Sequence, residues 1–371
     1  MTGKIEQVIN ITSEDKKNIN YGKLLGKSLR VFFRDALRIS LKNPSQAYFF
    51  FKTVLWQRQA SRVRQNWENQ GLHVPPIMVY SITNRCNLRC KGCYNQNLRK
   101  SPREELSIER IKGLISEAKE LGISFIVLAG GEPLVRQEIL DITGSFPEIV
   151  FLIFTNGLLI DGKVLLKLKQ QKNVLPILSL EGYEKDTDER RGKGVYDVLQ
   201  RIIGKLKSKR AFFGVSLTVT KQNFNTIINH QFIHKLTHLG CKIFFLPEYT
   251  AIRGGTEDWV PTVEQRTSTP EIMKSFRDQF SAIFVALPSD EEEFGGCLSA
   301  GRGFIHVSSE GNLEPCPFAP YSDTNLKDTP LKEALQSDFL RAIRQNHEQL
   351  NETEGGCALW VKREWVQSLL K

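Results

Sequence analysis

From residue 77 to residue 246 the chain alternates between two hydrophobic patterns. Short apolar runs rich in Val, Ile and Phe occupy 77–82, 123–128, 149–154, 174–180, 212–220 and 242–246. Between them lie stretches of helical periodicity. In 108–121, Ile111, Leu114, Ile115 and Ala118 share one face, and Gly122 follows as a stop. Near-continuous apolar runs are the mark of strands covered on both faces, as in a parallel sheet. Six such strand–helix units in series predict right-handed crossovers. Six are too few to close a full barrel. The expected fold is therefore α/β: a partial (β/α)6 TIM-like barrel with an N-terminal helical extension and a small C-terminal domain. The regions divide at 1–76, 77–289 and 290–371. Chemistry on such sheets collects at the C-terminal ends of the strands.

The first region reads as helical and basic. Residues 23–64 hold ten Lys/Arg against one acid, Asp35, which is +9 of the chain's net +10. Lys27, Arg30, Arg34 and Arg38 fall three or four apart as one stripe, flanked by Leu25, Leu29, Phe32, Phe33, Ala36 and Leu37. Asn43-Pro44 breaks the helix, and Phe49, Phe50, Phe51 and Trp56 follow. Basic amphipathic helices with Phe and Trp suit an anionic membrane surface, which becomes the expected partner of this block. The competing reading packs them on the barrel and leaves the basic stripe solvated. On the membrane reading, a chain lacking residues 1–70 stays in solution with its chemistry intact. No run approaches the roughly 18 apolar residues of a spanning helix. Residues 1–17 lack the apolar core of a secretory signal, so the expected location is cytoplasmic, peripheral on the inner membrane face.

Seven cysteines are present, an odd number with three of them tightly grouped, which suggests metal ligation over disulfides. The first strand runs into Asn84-Arg85-Cys86-Asn87-Leu88-Arg89-Cys90-Lys91-Gly92-Cys93-Tyr94. Three thiolates on a 4Fe–4S cluster leave one iron without a protein ligand, able to chelate a substrate or cofactor. A structural zinc would want a fourth ligand nearby, and none follows at useful spacing.

The C-x3-C-x2-C pattern resembles the radical SAM superfamily. That resemblance implies that the open iron binds the amino and carboxylate groups of S-adenosylmethionine (SAM). It also implies that one electron cleaves the C–S bond and that the 5′-deoxyadenosyl radical abstracts hydrogen from a substrate. Gly92 stands where the family often has an aromatic residue, and Tyr94 is the side chain available to compensate. The likeness continues in order along the chain. Gly130-Gly131-Glu132-Pro133 is similar to the family's GGEP motif: the glycines would let backbone approach the ligand, and Glu132 would take the methionyl amine. Asn156, in Thr155-Asn156-Gly157, is a further contact candidate. Alternation puts Ser179 and Glu181 on one face of the fourth strand, where ribose hydroxyls would lie. Arg191, in a D-x-x-R-G stretch, suits the methionyl carboxylate. Glu248, after the sixth strand, is a substrate-contact candidate.

Cys297 to Cys316 reads as a hairpin turning at Glu310-Gly311-Asn312, followed by a helix over 331–345 and then Cys357. This resembles a reduced SPASM/Twitch extension, and the resemblance implies a second, auxiliary 4Fe–4S cluster on Cys297, Cys316 and Cys357. Cys241, beside a strand, is expected in the core. His230, His234 and His238 share a helical stripe that no carboxylate completes, so they are read as a helix flank. With no Walker loop, zinc finger or aromatic-basic reader, no nucleic-acid partner is expected.

Three functions compete. The first is a radical SAM enzyme acting on an unactivated C–H bond of a small-molecule or membrane-associated lipid substrate, with an electron donor such as flavodoxin or ferredoxin. The second is a peptide or protein maturase of the SPASM type. The third, a non-catalytic electron carrier or membrane-bound scaffold, would not need Glu132, Ser179 and Glu181 around an open iron. The basic N-terminus, in place of a peptide-recognition module with short strands, tilts the sequence reading towards a lipid.

Overall fold

Seven apolar runs become seven parallel strands, each hydrogen-bonded to the next. A computed structural model describes residues 21–99, 104–294, 296–350 and 357–370; residues 1–17 and the side chains of Leu25, Lys27 and Arg30 lie outside what it describes. The strands are β1 (Ile77–Thr83), β2 (Phe125–Gly130), β3 (Val150–Thr155), β4 (Val174–Leu180), β5 (Gly214–Leu217), β6 (Ile243–Pro247) and β7 (Ile283–Leu287). They lie in the order β7-β6-β5-β4-β3-β2-β1, and β8 (Phe304–Val307) then pairs parallel with the free edge of β1. The last strand, β9 (Leu313–Glu314), pairs antiparallel with β8, giving the hairpin expected before Cys316. The result is the partial TIM-like barrel, with one strand more than the six units read from the pattern. β7 was missed although its five residues are apolar throughout. The segment read as one helix over 331–345 is two, Leu331–Ala334 and Asp338–Gln345, because Ser337 caps the second by accepting from Leu340 N.

Period-two alternation sorts the sheet residues into two apolar layers. Phe151, Ile153, Leu178, Leu180, Val215 and Leu217 face the outer helices. Val150, Leu152, Leu175, Ile177, Ile243 and Ile283 face the lumen, and Phe154 and Phe245 meet there edge to face at 5.2 Å. Serines replace these apolar residues near the strand C-termini: Ser179 and Ser216 are register partners across β4 and β5.

The N-terminal helices α1 (Tyr21–Ser40) and α2 (Pro44–Asn69) close the other end of that lumen. Phe33 and Phe50 are fully buried, and Phe49 nearly so. Phe32 meets Phe125 at 5.6 Å and Phe50 meets Phe212 at 4.9 Å. Polar groups on α2 and at its cap satisfy carbonyls in the loops that enter the strands. Asn43 donates to Arg210 O at 2.9 Å, Gln46 to Lys172 O at 3.2 Å, Gln57 to Ser124 O at 3.4 Å, and Arg64 to Gly122 O. Burial pulls the Arg64 guanidinium down to about 10.

This arrangement corrects the membrane reading. Phe32, Phe33, Phe49, Phe50 and Trp56 all belong to the cluster that plugs the barrel, and only Phe51 among the aromatics counted for insertion is exposed. Each fully buried Phe contributes roughly 1.5–3 kcal/mol that removal of the helices would forfeit. Truncation at residue 70 would therefore uncover an apolar lumen floor, so the soluble truncated chain is not expected. Among the described residues no helix is long and apolar enough to cross a membrane.

Candidate active site

The cysteine loop leaves β1 at its C-terminal end and is held from three sides. Thr83 Oγ1 and Asn84 N both donate to Glu105 Oε1, at 2.7 and 2.9 Å. Lys91 N donates to Arg190 O at 2.8 Å. Cys93 is the N-cap residue of the short helix α3 (Tyr94–Leu98), and Asn97 donates to its carbonyl at 2.7 Å. Cys86 is exposed, whereas Cys90 and Cys93 are half-buried. Burial is the main reason that the Cys86 and Cys90 thiols are held above their ordinary value, and the neighbouring cysteines add to it. Three clustered thiolates therefore need a strong positive charge among them, which iron supplies. Among the described residues no three His, Cys, Asp or Glu side chains close around a single metal ion.

Gly130 and Gly131 have a reason that the sequence did not reveal. A Cβ on Gly130 would lie 2.3 Å from Thr83 O, and one on Gly131 would lie 2.2 Å from Arg85 O. The glycines thus let the end of β2 press against the backbone of the cysteine loop itself. Gly131 N and Glu132 N donate to Thr83 O and Arg85 O, at 2.7 and 2.9 Å. Glu132 is buried and accepts from Leu134 N (3.0 Å), Thr155 Oγ1 (2.7 Å) and Asn156 N (2.7 Å). Burial raises its carboxyl despite those three donors. A carboxylate offers about four lone-pair sites, so one acceptor position remains. Asn156 turns its amide to Asn87 Oδ1 at 2.8 Å, with Cys86 Sγ 4.0 Å away.

Glu181 and Arg191 come together rather than standing apart for a ligand. Arg191 Nε donates to Glu181 Oε1 at 2.8 Å, and Arg190 Nη1 donates to Oε2 at 2.6 Å. The remaining Arg191 nitrogen, Nη1, lies 4.0 Å from Cys90 Sγ. Arg190 was not foreseen as a partner; its adjacency to Arg191 was the only available signal. Ser179 is half-buried on the lumen face, as alternation required. Glu248 lies 3.5 Å from Arg266.

Tyr94 does not take the place of the aromatic missing at Gly92. Its ring packs on Phe318 with centroids 4.9 Å apart, which ties the cysteine loop to the C-terminal segment. Gly92 has φ +66°, and a Cβ there would lie 2.4 Å from the Tyr249 hydroxyl and 3.1 Å from Trp259. Two aromatic residues from beyond β6 thus cover Gly92, and no sequence spacing pointed to them.

A buried chain of polar groups also joins the two cysteine regions. Ser81 Oγ meets His306 Nε2 at 2.8 Å, and His306 Nδ1 meets Glu314 Oε2 at 2.8 Å. Arg99 Nη1 donates to Glu314 Oε1, also at 2.8 Å. Burial pulls the His306 imidazole below its usual value, outweighing Glu314. Burial pushes the Glu314 carboxyl up, but His306 and Arg99 outweigh it and hold it low.

Cys297, Cys316 and Cys357 converge from three separate segments. Cys316 and Cys357 share a side-chain hydrogen bond, and Cys297 lies within electrostatic reach of both. Cys241 is fully buried in the main core and its thiol is pushed up to about 12, as a core residue would be. His230 packs on Phe276 at 5.1 Å, in keeping with a helix flank.

Residues 80–230 match the radical SAM superfamily. This chain carries a radical SAM domain. An AdoMet-dependent heme synthase of Methanosarcina barkeri is 26% identical over 316 residues, spanning 77% of this chain and 88% of the relative. Mycofactocin maturase MftC of Mycolicibacterium smegmatis is 25% identical, spanning 78% of this chain and 76% of the relative. SuiB of Streptococcus suis, solved with its precursor peptide SuiA, superposes with a TM-score of 0.63 at 18% identity, covering 79% of this chain and 71% of SuiB. That likeness covers more of the chain than the matched residues do, and it is a likeness of fold. A radical SAM fold binds SAM and a 4Fe–4S cluster, and the loop from Cys86 to Cys93 has the donors for that cluster.

Proposed function

We propose that Cys86, Cys90 and Cys93 hold the 4Fe–4S cluster, and that the chain uses it to abstract hydrogen from an organic substrate at the C-terminal mouth of the barrel. The observation that carries this is the convergence of the three thiols, after β1, with buried Glu132, after β2, and with Arg191, the last residue of the helix Glu184–Arg191 that follows β4. A cluster held by Cys86, Cys90 and Cys93 would supply the one-electron reduction, fed by a flavodoxin- or ferredoxin-class donor, by which SAM is cleaved for hydrogen abstraction from the substrate. Glu132 holds the methionyl ammonium with its remaining acceptor site. Arg191, oriented by Glu181, faces the carboxylate beside Cys90. Ser179 and Asn156 line the approach, and Tyr249 with Trp259 supplies the aromatic wall that Gly92 lacks. Cys297, Cys316 and Cys357 hold a second cluster.

Peptide maturation is the second reading, supported by the similarity to mycofactocin maturase and to AlbA of Bacillus subtilis, a subtilosin biosynthesis protein 29% identical over 259 residues. The tilt towards a lipid loses its support once the N-terminal aromatics are under the barrel. The test is anaerobic turnover with SAM and deuterated candidate substrates, reading deuterium in 5′-deoxyadenosine. Reductive SAM cleavage that persists in the Cys86→Ala/Cys90→Ala/Cys93→Ala variant would refute the assignment.

A further inference from the structure

The cysteine loop is held on both flanks by the β8–β9 hairpin. On the near side Asn84, two residues before Cys86, donates from Nδ2 at 2.6 Å to Oε1 of Glu310, which sits at the hairpin turn. On the far side Arg99, the residue that ends α3 after Cys93, lays both Nη atoms on Glu314 of β9. Nη1 donates to Oε1 at 2.8 Å and Nη2 donates to Oε2. Nη1 also lies 3.9 Å from Glu310 Oε2, so one guanidinium ties the two carboxylates together. Tyr94, next to Cys93, packs on Phe318 just beyond β9. The three thiols therefore lie on a span whose two ends are fastened to one element, 226 and 215 residues further along the chain.

These contacts are buried: the side chains of Arg99, Glu310 and Glu314 are 8%, 10% and 1% exposed. A buried ion pair adds little net stability over a well-packed apolar pair of the same volume, because both ions give up their water. What a bidentate guanidinium–carboxylate pair adds is geometry, since two parallel hydrogen bonds admit one distance and one orientation. With Cys86 exposed, the shape of the loop depends on where its ends are held.

We propose that Arg99, Glu310 and Glu314 are positioning residues for the first cluster site, and that the β8–β9 hairpin is a clamp that sets the spacing of Cys86, Cys90 and Cys93 through the two flanks of their loop. The clamp's role in catalysis rests on the assignment of that cluster to these three cysteines.

The experiment reads the loop and the chemistry separately, in the full chain. Hydrogen–deuterium exchange is followed by mass spectrometry on peptides covering residues 84–99 before iron is loaded, and SAM cleavage is measured after anaerobic reconstitution. Arg99→Gln and Glu310→Gln are each expected to speed exchange over 84–99 roughly tenfold or more, with peptides from β3 to β6 unchanged. SAM cleavage is expected to fall about 100-fold, the cost of a misplacement of about 1 Å. Arg99→Lys keeps the charge without the fork and should fall between. Ser81→Ala breaks the Ser81–His306 bond deeper in the same polar chain, and should lower the melting temperature without changing exchange in the loop. Wild-type loop exchange in Arg99→Gln and Glu310→Gln would overturn the clamp. A rise spread equally over β3 to β6, or matched by Ser81→Ala, would overturn it too, because it would mark a folding role. A loosened loop with wild-type SAM cleavage would leave the clamp standing and instead sink the assignment of the cluster to Cys86, Cys90 and Cys93.

Discussion

Glu132 serves the fold through three hydrogen bonds and is proposed to serve the ligand as well, and the choice of substitution separates the two. Replacing it with Ala removes the acceptor for Leu134 N, Thr155 Oγ1 and Asn156 N together. Each buried donor left unsatisfied costs about 1–3 kcal/mol, so the total is comparable with a whole domain's stability of about 5–15 kcal/mol. Loss of SAM binding in that variant would say little. Glu132→Gln keeps the shape and one carbonyl oxygen able to accept from Leu134 N and Thr155 Oγ1. It removes the negative charge and places an NH2 group opposite Asn156 N. A hydrogen bond to a charged group is worth about 1.5–3 kcal/mol, which predicts a SAM affinity roughly 10- to 150-fold weaker. Equilibrium dialysis of labelled SAM against anaerobically reconstituted protein measures this. The EPR spectrum of the reduced cluster and a thermal melt report whether site and fold survive. A folded Glu132→Gln protein with the same cluster spectrum and unchanged SAM affinity would refute the amine-binding role.

Four further outcomes follow from the same geometry. Reconstituted protein should carry about eight irons, and the triple replacement of Cys86, Cys90 and Cys93 about four, by iron analysis; an unchanged count would sink the site. Phe50→Ala, at a fully buried plug residue, should lower unfolding stability by about 3–5 kcal/mol in urea titration, whereas Phe51→Ala, exposed, should change it little. Gly92→Ala should impair SAM binding and speed cluster loss, because its φ of +66° disfavours a side chain and the new Cβ meets the Tyr249 hydroxyl; normal binding would show that the Tyr249 contact is dispensable. His306, its folded value below the ordinary 6.5, favours folding in its neutral form. That contribution is full above about 6.5 and is lost as pH falls below it, with Glu314 adding a loss below its ordinary 4.5. Denaturant titrations from pH 8 to about 5.5 should show the wild type losing stability more steeply than His306→Gln. Parallel slopes would remove His306 from the account.

The sequence by itself determined what depends on local pattern and on covalent spacing. Alternation and apolar runs set the strands, because a side chain's face follows from a period of two wherever the sheet lies. The helix Ile108–Leu121 and the break at Asn43-Pro44 were legible for the same reason: periodicity and caps are local. The grouping of Cys86, Cys90 and Cys93 was legible because three thiols on one short loop lie near one another almost regardless of context. The tertiary structure alone decided which partner each exposed-looking group would meet. The N-terminal aromatics looked like an insertion surface until the barrel floor covered Phe33 and Phe50, since amphipathicity states that a face must be buried and not against what. Gly130 and Gly131 looked like ligand contacts, and the closest backbone proved to be that of residues 83 to 85, which the chain brings there across a parallel pairing. Tyr249 and His306 carried no signal in the sequence, because each acts through a neighbour far away along the chain, Gly92 for Tyr249 and Ser81 for His306, and such a neighbour exists only once the chain has folded.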